Sequence, residues 1–113
     1  MREPLLPSQI KRLLVAILEI GTLSFTSHAY EEMANDDLTE VDVQNVLRGG
    51  VAGQGELRSG SYRYPVKTSR IAVVVAFRSE AWAVVITAWR FKSASQHREA
   101  SASASRPREK ERS

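Results

Sequence analysis

The core of this chain is specified by residues Ile71–Trp89, which read IAVVVAF, then RSE, then AWAVVITAW. Two runs rich in β-branched and aromatic residues on either side of a short polar turn are typical of a β-hairpin. A helix is the competing interpretation, but the consecutive valines at 73–75 would lose side-chain rotamer freedom in a helix. Because both runs are apolar almost throughout, we expect the hairpin in the middle of a sheet that is covered on both faces.

The residues before this hairpin contain further strand signals. Ser61–Lys67 alternates between apolar and polar residues, which predicts a half-buried strand, and Pro65 places that strand near an edge or a bulge. A short edge strand is expected at Glu56–Arg58 inside a glycine-rich loop, and a short extended piece at Leu23–Thr26. The pattern predicts an antiparallel meander of three or four strands.

Helical patterns occupy the first half of the chain. Apolar residues recur at helical spacing over Ser8–Ile20, and Ser8 is the expected N-cap. A second helix is expected from His28 to about Asn35. The third has the clearest signal, because Thr39 and Asp42 have the spacing of a capping box. We therefore expect an α+β fold in which two to three N-terminal helices pack on one face of the sheet.

The composition predicts one domain over residues 8–92. Residues 1–7 are expected to form a loose arm, because Pro4 and Pro7 interrupt it. Residues 93–113 are rich in Ser, Ala and Arg and contain no aromatic residue, Val, Leu or Ile. Such a segment cannot bury enough apolar surface to offset its ordering entropy, so a disordered basic tail is expected.

Several kinds of site are excluded or not expected. The chain has no cysteine, which excludes disulfides, thiolate metal sites and a cysteine nucleophile. His28 is the only histidine of the predicted domain, and no phosphate loop or dinucleotide fingerprint is present, so neither a metal nor a cofactor is expected. Ile10–Ile20 is too short and too charged to span a membrane, and a signal peptide is not expected. These features predict a cytoplasmic protein.

Charge is distributed unevenly along the chain. From Glu19 to Asp42 there are seven carboxylates and no lysine or arginine. From Arg58 to Lys92 the chain carries Arg58, Arg63, Lys67, Arg70, Arg78, Arg90 and Lys92 against Glu80 alone. This asymmetry suggests a polyanion such as RNA as a partner of the sheet. The alternative is that positive side chains only keep an exposed sheet edge from pairing with other chains.

The basic and phenolic residues are the best candidates for chemistry. RNA can be cut without a metal if one group activates the 2′-hydroxyl, another assists the leaving oxygen, and cations hold the phosphate. We predict catalytic roles for His28, Arg63, Tyr64, Thr87 and Arg90, and RNA-binding roles for Arg58, Lys67, Arg70 and Lys92.

Structural roles are the alternative for the same residues. His28 would then fix the junction between the first strand and its helix. Arg63 and Tyr64 point to opposite faces of a regular strand, so at most one of them joins a site unless Pro65 introduces a bulge. Trp82 and Trp89 are expected to fill a core or cover a sheet end rather than stack on bases.

Two spaced motifs carry a resemblance. Phe25-Thr26-x-His28-Ala29-x-x-x-Met33 is followed by Leu38-Thr39-x-x-Asp42-Val43-x-x-Val46-Leu47-x-x-Gly50. Together with Tyr62-Arg63-Tyr64 and Val85-Ile86-Thr87-Ala88-Trp89, this pattern resembles a small bacterial domain family of unknown function over about Leu23–Arg90. The chain departs from that family at Glu31-Glu32-Met33 and at Asn35-Asp36-Asp37, where the family often carries arginine.

The family is similar in layout to the RelE/MqsR-like ribonuclease toxins of bacterial toxin–antitoxin pairs. The resemblance implies messenger RNA as the substrate and an antitoxin protein as the partner, with no membrane association. A non-catalytic protein-interaction module is the alternative, and it would use the helix Ser8–Ile20 or the sheet edge. A third interpretation, an antitoxin-like or immunity-type inhibitor, fits the acidic helices but not the basic sheet.

Overall fold

The computed structural model describes residues 1–92, and the predicted tail at 93–113 lies outside the described residues. Its elements are α1 (Pro7–Ile20), β1 (Thr22–Phe25), α2 (Ser27–Asn35), α3 (Glu40–Gly49), β2 (Val51–Ala52), β3 (Glu56–Arg58), β4 (Ser61–Lys67), β5 (Ile71–Ser79) and β6 (Trp82–Arg90). The six strands form a sheet of order β1-β6-β5-β4-β2, with β3 also paired to β4.

The predicted hairpin is the centre of this sheet. The strands β5 and β6 pair antiparallel and lie between β1 on one side and β4 on the other. The α+β class and the predicted strands are confirmed. The predicted antiparallel meander is confirmed for β3, β4, β5 and β6, and β1 adds an edge strand that runs parallel to β6. Two parallel strands need a long connection between them, and the chain between β1 and β6 provides it. The helix α2, which follows β1 directly, packs against β6.

All three helices share one core with one face of the sheet. Apolar side chains of α1, α2 and α3 are buried together with Val73, Val75 and Val85 of the hairpin. Among residues 1–92, no helix packs on the opposite face, so within this part of the chain the expectation that both faces are covered is wrong. There Ala72 and Ala76 are buried outside that core, because they are short and stand between longer neighbours such as Trp89.

A β-bulge in β6 changes which side chains of this strand point to each face of the sheet. Val74 pairs with Thr87 and Val75 pairs with Val85, so Ile86 is an extra residue on this strand. Val85 and Ala88 consequently both belong to the core, whereas Ile86 and Thr87 lie on the face that carries no helix.

The capping box of α3 is confirmed. The Asp42 amide donates to Thr39 Oγ1 at 3.1 Å, and the Thr39 amide donates to Asp42 Oδ2 at 2.8 Å. These hydrogen bonds lower the pKa of the Asp42 carboxyl. The expected cap of α1 is wrong: Pro7 occupies the first turn, and the Leu6 amide donates to Gln9 Oε1 at 2.7 Å.

The amphipathic stripe of α1 is used inside the domain. Ile10, Leu14 and Ile17 are buried in the shared core. Lys11 reaches the end of α3, where its Nζ donates to the carbonyl oxygens of Leu47, Arg48 and Gly50 at 2.8, 2.9 and 2.7 Å. The last carbonyl oxygens of a helix have no hydrogen-bond donors within the helix, and the Lys11 ammonium group supplies those donors here. Within residues 1–92, no helix is both long and apolar enough to cross a membrane.

The N-terminal residues do not form the expected loose arm. Leu5 is only 6% exposed, and its amide donates to the Tyr64 hydroxyl at 3.1 Å. The same hydroxyl donates to Glu3 Oε2 at 2.7 Å. The arm is therefore held against the core by a tyrosine of β4, and the sequence pattern of the arm alone does not show this contact.

The edge beside β4 is interrupted, as Pro65 predicts. Ala52 pairs with Val66, and Glu56 pairs with Arg63. The three edge residues 53–55 therefore lie opposite only two residues of β4, Tyr64 and Pro65. Proline has no amide proton to donate to a neighbouring strand. The chain bends around this point at Gly55, where an added Cβ would lie 2.5 Å from the Tyr64 ring.

Gly55→Ala should destabilise the protein, because the fully buried Tyr64 ring has no room to move away from the new methyl group. We expect a loss of about 1–3 kcal/mol in the free energy of unfolding, as for other overpacked sites. The matched control is Gly49→Ala, whose added Cβ would meet no atom within 4 Å. Urea unfolding measures both variants, and equal stabilities would contradict the predicted clash.

Candidate nucleic-acid interface

A groove of about 550 Å³ crosses the open face of the sheet, which we define as the face on which no helix of residues 1–92 packs. It extends from the interrupted edge across β4 and β5 to β6. Its walls and floor are formed by Gln54, Gly55, Glu56, Arg58, Arg63, Pro65, Val74, Ile86, Thr87 and Trp89. The groove thus brings together three of the predicted site residues, Arg58, Arg63 and Thr87.

Arg63 is the most unusual residue of the groove. Its Nε is buried, and no acceptor among residues 1–92 lies within hydrogen-bonding distance of it. A buried donor without an acceptor costs roughly 1–3 kcal/mol, and more when it carries charge. An anion bound in the groove would lie beside this side chain and compensate its positive charge.

A second cation and a carboxylate stand beside Arg63. Glu56 is its cross-strand partner on β3, and Glu56 Oε1 lies 3.3 Å from Arg58 Nη2. Both members of this ion pair are more than 60% exposed. Such exposed pairs contribute little to stability, so Arg58 can exchange Glu56 for another anion at small cost.

The bulge on β6 supplies the far wall of the groove. It places Ile86 and Thr87 on the open face together, where a regular strand would show only one of them. Trp89 follows on the same face, and its ring meets Phe91 edge-on with centroids 6.3 Å apart. Trp82 is different: it is 45% exposed at the end of the sheet, and its Nε1 donates to Ser24 Oγ at 3.0 Å.

The structure does not bring His28 into this groove. His28 is exposed in the first turn of α2, and α2 packs against β6 within the helical layer. The cap of this helix is Thr26, whose Oγ1 accepts from the Ala29 amide at 2.9 Å and donates to the Ile86 carbonyl at 3.0 Å. The junction between β1 and α2 is therefore fixed by Thr26.

Tyr64 lies on the opposite face from Arg63, as strand alternation predicts. It is fully buried, and its hydroxyl is shared between Glu3 and the Leu5 amide. Burial, followed by the hydrogen bond to Glu3, raises the pKa of Tyr64 to about 12. In this position Tyr64 stabilises the arm and does not line the groove.

Arg90 is turned toward the helical layer because the bulge precedes it. Its Nε and Nη2 each donate at 3.2 Å, to the carbonyls of Asp36 and Asp37 respectively, and its backbone amide donates to Asp36 Oδ2 at 2.7 Å. Asp37 has a φ of 57°, a left-handed conformation that carries a cost for a residue with a side chain. Arg90 thus fixes the turn between α2 and α3.

The remaining predicted cations cluster at one end of the sheet. Lys67 is exposed and lines a smaller cavity of about 360 Å³, which shares Gln54 and Pro65 with the groove. Arg70 lies in the turn between β4 and β5, and its carbonyl accepts from the Phe91 amide at 2.7 Å. Lys92 follows β6 at the same end and is exposed.

The sequence did not identify the groove itself. Gln54, Glu56 and Ile86 were not named as site residues, and Trp89 was expected to have a structural role. Pro65 opposite a glycine-rich stretch is the one local signal for the interrupted edge. Among residues 1–92, no three His, Cys, Asp or Glu side chains lie close enough to hold a metal ion.

Residues 25–90 match the family described as domain of unknown function DUF4258, and the chain belongs to this family. No curated protein and no solved structure matches the chain. The match includes the whole groove and both predicted helices α2 and α3, whereas the arm and α1 precede it.

Tyr64→Phe should lower stability by about 1–2 kcal/mol at neutral pH, because it removes the hydroxyl that binds Glu3 and Leu5. Folding raises the pKa of Tyr64 from 10.0 to about 12, so the folded state holds this proton more tightly than the unfolded state. This contribution is fully present below pH 10 and is lost as the pH rises through 12. Urea unfolding at several pH values should show the gap between the two proteins narrowing over that range, and a constant gap would contradict the assignment.

Proposed function

We propose that this chain is an RNA-binding domain and that its open-face groove holds the phosphate backbone of RNA. The observation that carries this proposal is Arg63, whose buried Nε has no hydrogen-bond partner among the described residues and which lines a groove open to solvent. A phosphodiester oxygen accepts hydrogen bonds from guanidinium groups better than a neutral group does.

The charge distribution supports a polyanion at this face. Arg58 adds a second cation in the groove, and Lys67 lines the cavity that adjoins it. The carboxylates of 19–42 lie on α1, α2, α3 and their connections, away from these cations. Phosphate contacts by lysine and arginine supply most of the affinity for nucleic acid and make it depend on salt.

Replacing Arg63 by glutamine should weaken RNA binding about tenfold, since a charge-assisted hydrogen bond to phosphate is lost. The slope of log affinity against log salt should fall by about 1, the value for one released counterion. Fluorescence anisotropy with a labelled RNA oligonucleotide measures both quantities. The matched control is Arg48→Gln, which removes an exposed arginine from α3 on the helical layer. Equal losses in the two variants would contradict a specific role for Arg63.

We further propose that the domain acts as a RelE/MqsR-like toxin in the bacterial cytoplasm, with an antitoxin protein as its partner. This proposal rests on the resemblance in layout together with the groove. The sheet edge of β2 and β3 is the surface on which a protein partner, or the alternative interaction module, would dock, because Val51 and Leu57 are 76% and 57% exposed there. The stripe of α1 does not serve this purpose, since Ile10, Leu14 and Ile17 are buried.

Metal-independent RNA cleavage is the enzymatic form of the proposal. Among the groove-lining residues of the described chain, Glu56 is the carboxylate that can accept a proton. We assign it the role of general base in place of His28. Glu56 takes the proton of the 2′-hydroxyl, the 2′-oxygen forms a bond to phosphorus, and the bond from phosphorus to the 5′-oxygen breaks. A 2′,3′-cyclic phosphate results, and the 5′-oxygen takes a proton from water.

The protein freed of any antitoxin should cut single-stranded RNA in the presence of EDTA and leave 2′,3′-cyclic phosphate ends. Glu56→Gln should slow cleavage at least about 100-fold while RNA still binds, because a general base typically contributes that much. Gel analysis of labelled RNA measures the rate, and a DNA oligonucleotide of the same sequence is the control, since it lacks the 2′-hydroxyl. Binding without cleavage would remove the enzymatic form and leave the binding proposal in place.

A further inference from the structure

Trp89 stands at the end of the groove away from Arg63. It pairs with Ala72 across the hairpin, whereas Arg63 precedes the pair of Tyr64 with Val75. Four residue steps along the strands and two strand spacings across them put their Cα atoms about 16 Å apart, from the usual dimensions of a sheet. Both side chains line the same groove.

The surface between these two residues is mostly apolar. Val74, Pro65 and Ile86 form most of it, and Thr87 adds one hydroxyl group. A ligand that follows the groove from Arg63 therefore meets a cation first and an aromatic ring last. Proteins that bind single strands without strict sequence preference combine cations for the backbone with aromatic rings for the bases.

The Trp89 ring is held in place for such a contact. It is partly exposed, and Phe91 meets it edge-on at an interplanar angle of 82°. A ring fixed by its neighbours loses little conformational freedom when a base stacks on it.

We infer that Trp89 is the stacking platform for one base of single-stranded RNA whose backbone is bound at Arg63. The inference rests on the proposed function and deepens it, because it names the form of RNA that binds. In an A-form duplex the bases are stacked inside the helix and cannot reach a ring at the bottom of a groove. The domain consequently selects single strands over duplexes.

The chain offers a direct reporter, because Trp82 and Trp89 are its two tryptophans. Trp82→Phe leaves Trp89 as the sole source of tryptophan fluorescence. Titration of this variant with a single-stranded RNA oligonucleotide should quench the fluorescence in step with binding measured by anisotropy. A duplex of the same length should quench it much less at protein concentrations that saturate the single strand.

Two substitutions at Trp89 distinguish loss of the aromatic ring from loss of the folded structure. Trp89→Leu should weaken binding to single-stranded RNA about tenfold or more, whereas Trp89→Phe keeps an aromatic face and should retain most of the affinity. Thermal melting of both variants checks that they fold. RNA binding without Trp89 quenching, or equal affinity of Trp89→Leu and the unaltered chain, overturns the inference while the phosphate contact at Arg63 stands. Absence of any RNA binding overturns both.

Discussion

The extra residue at Ile86 is the constraint on which the two faces of this protein depend. Without it, the alternation of β6 would turn Trp89 toward the helices and Arg90 toward the groove. With it, Thr87 and Trp89 line the groove, and Arg90 instead hydrogen-bonds the turn between α2 and α3. Because of this one inserted residue, two neighbouring positions of a single strand have different roles: Trp89 lines the groove, and Arg90 supports the turn between α2 and α3.

A similar division of roles occurs on β4. Arg63 and Tyr64 are adjacent in sequence, yet one lines the groove and the other holds the N-terminal arm through its hydroxyl. Pro65 completes the arrangement, because it interrupts the edge strand and opens the space in which Gln54 and Glu56 face the groove. The groove is thus a consequence of two irregularities, a bulge in β6 and an interrupted edge beside β4.

Local patterns predicted most of the elements, and long-range contacts account for what they missed. The capping box at Thr39 and the alternation of β4 depend on residues close in sequence, and both were predicted correctly. The docking of Leu5 on Tyr64 joins residues 59 apart, and no local pattern reports it. The same holds for the groove: Arg58, Arg63 and Thr87 were named from residue type, but the bulge that brings Thr87 to the face of the two arginines has no distinct sequence signal.

The three hydrogen bonds from Lys11 to the end of α3 bear on where the folding unit begins. The family match starts at residue 25, but α1 fills the core with Ile10, Leu14 and Ile17 and supplies partners to carbonyls inside the matched part. The helix before the match therefore packs in the same hydrophobic core as the matched residues. In evolutionary terms, a member of this family that lacked such a helix would have to cover the same core surface by other means.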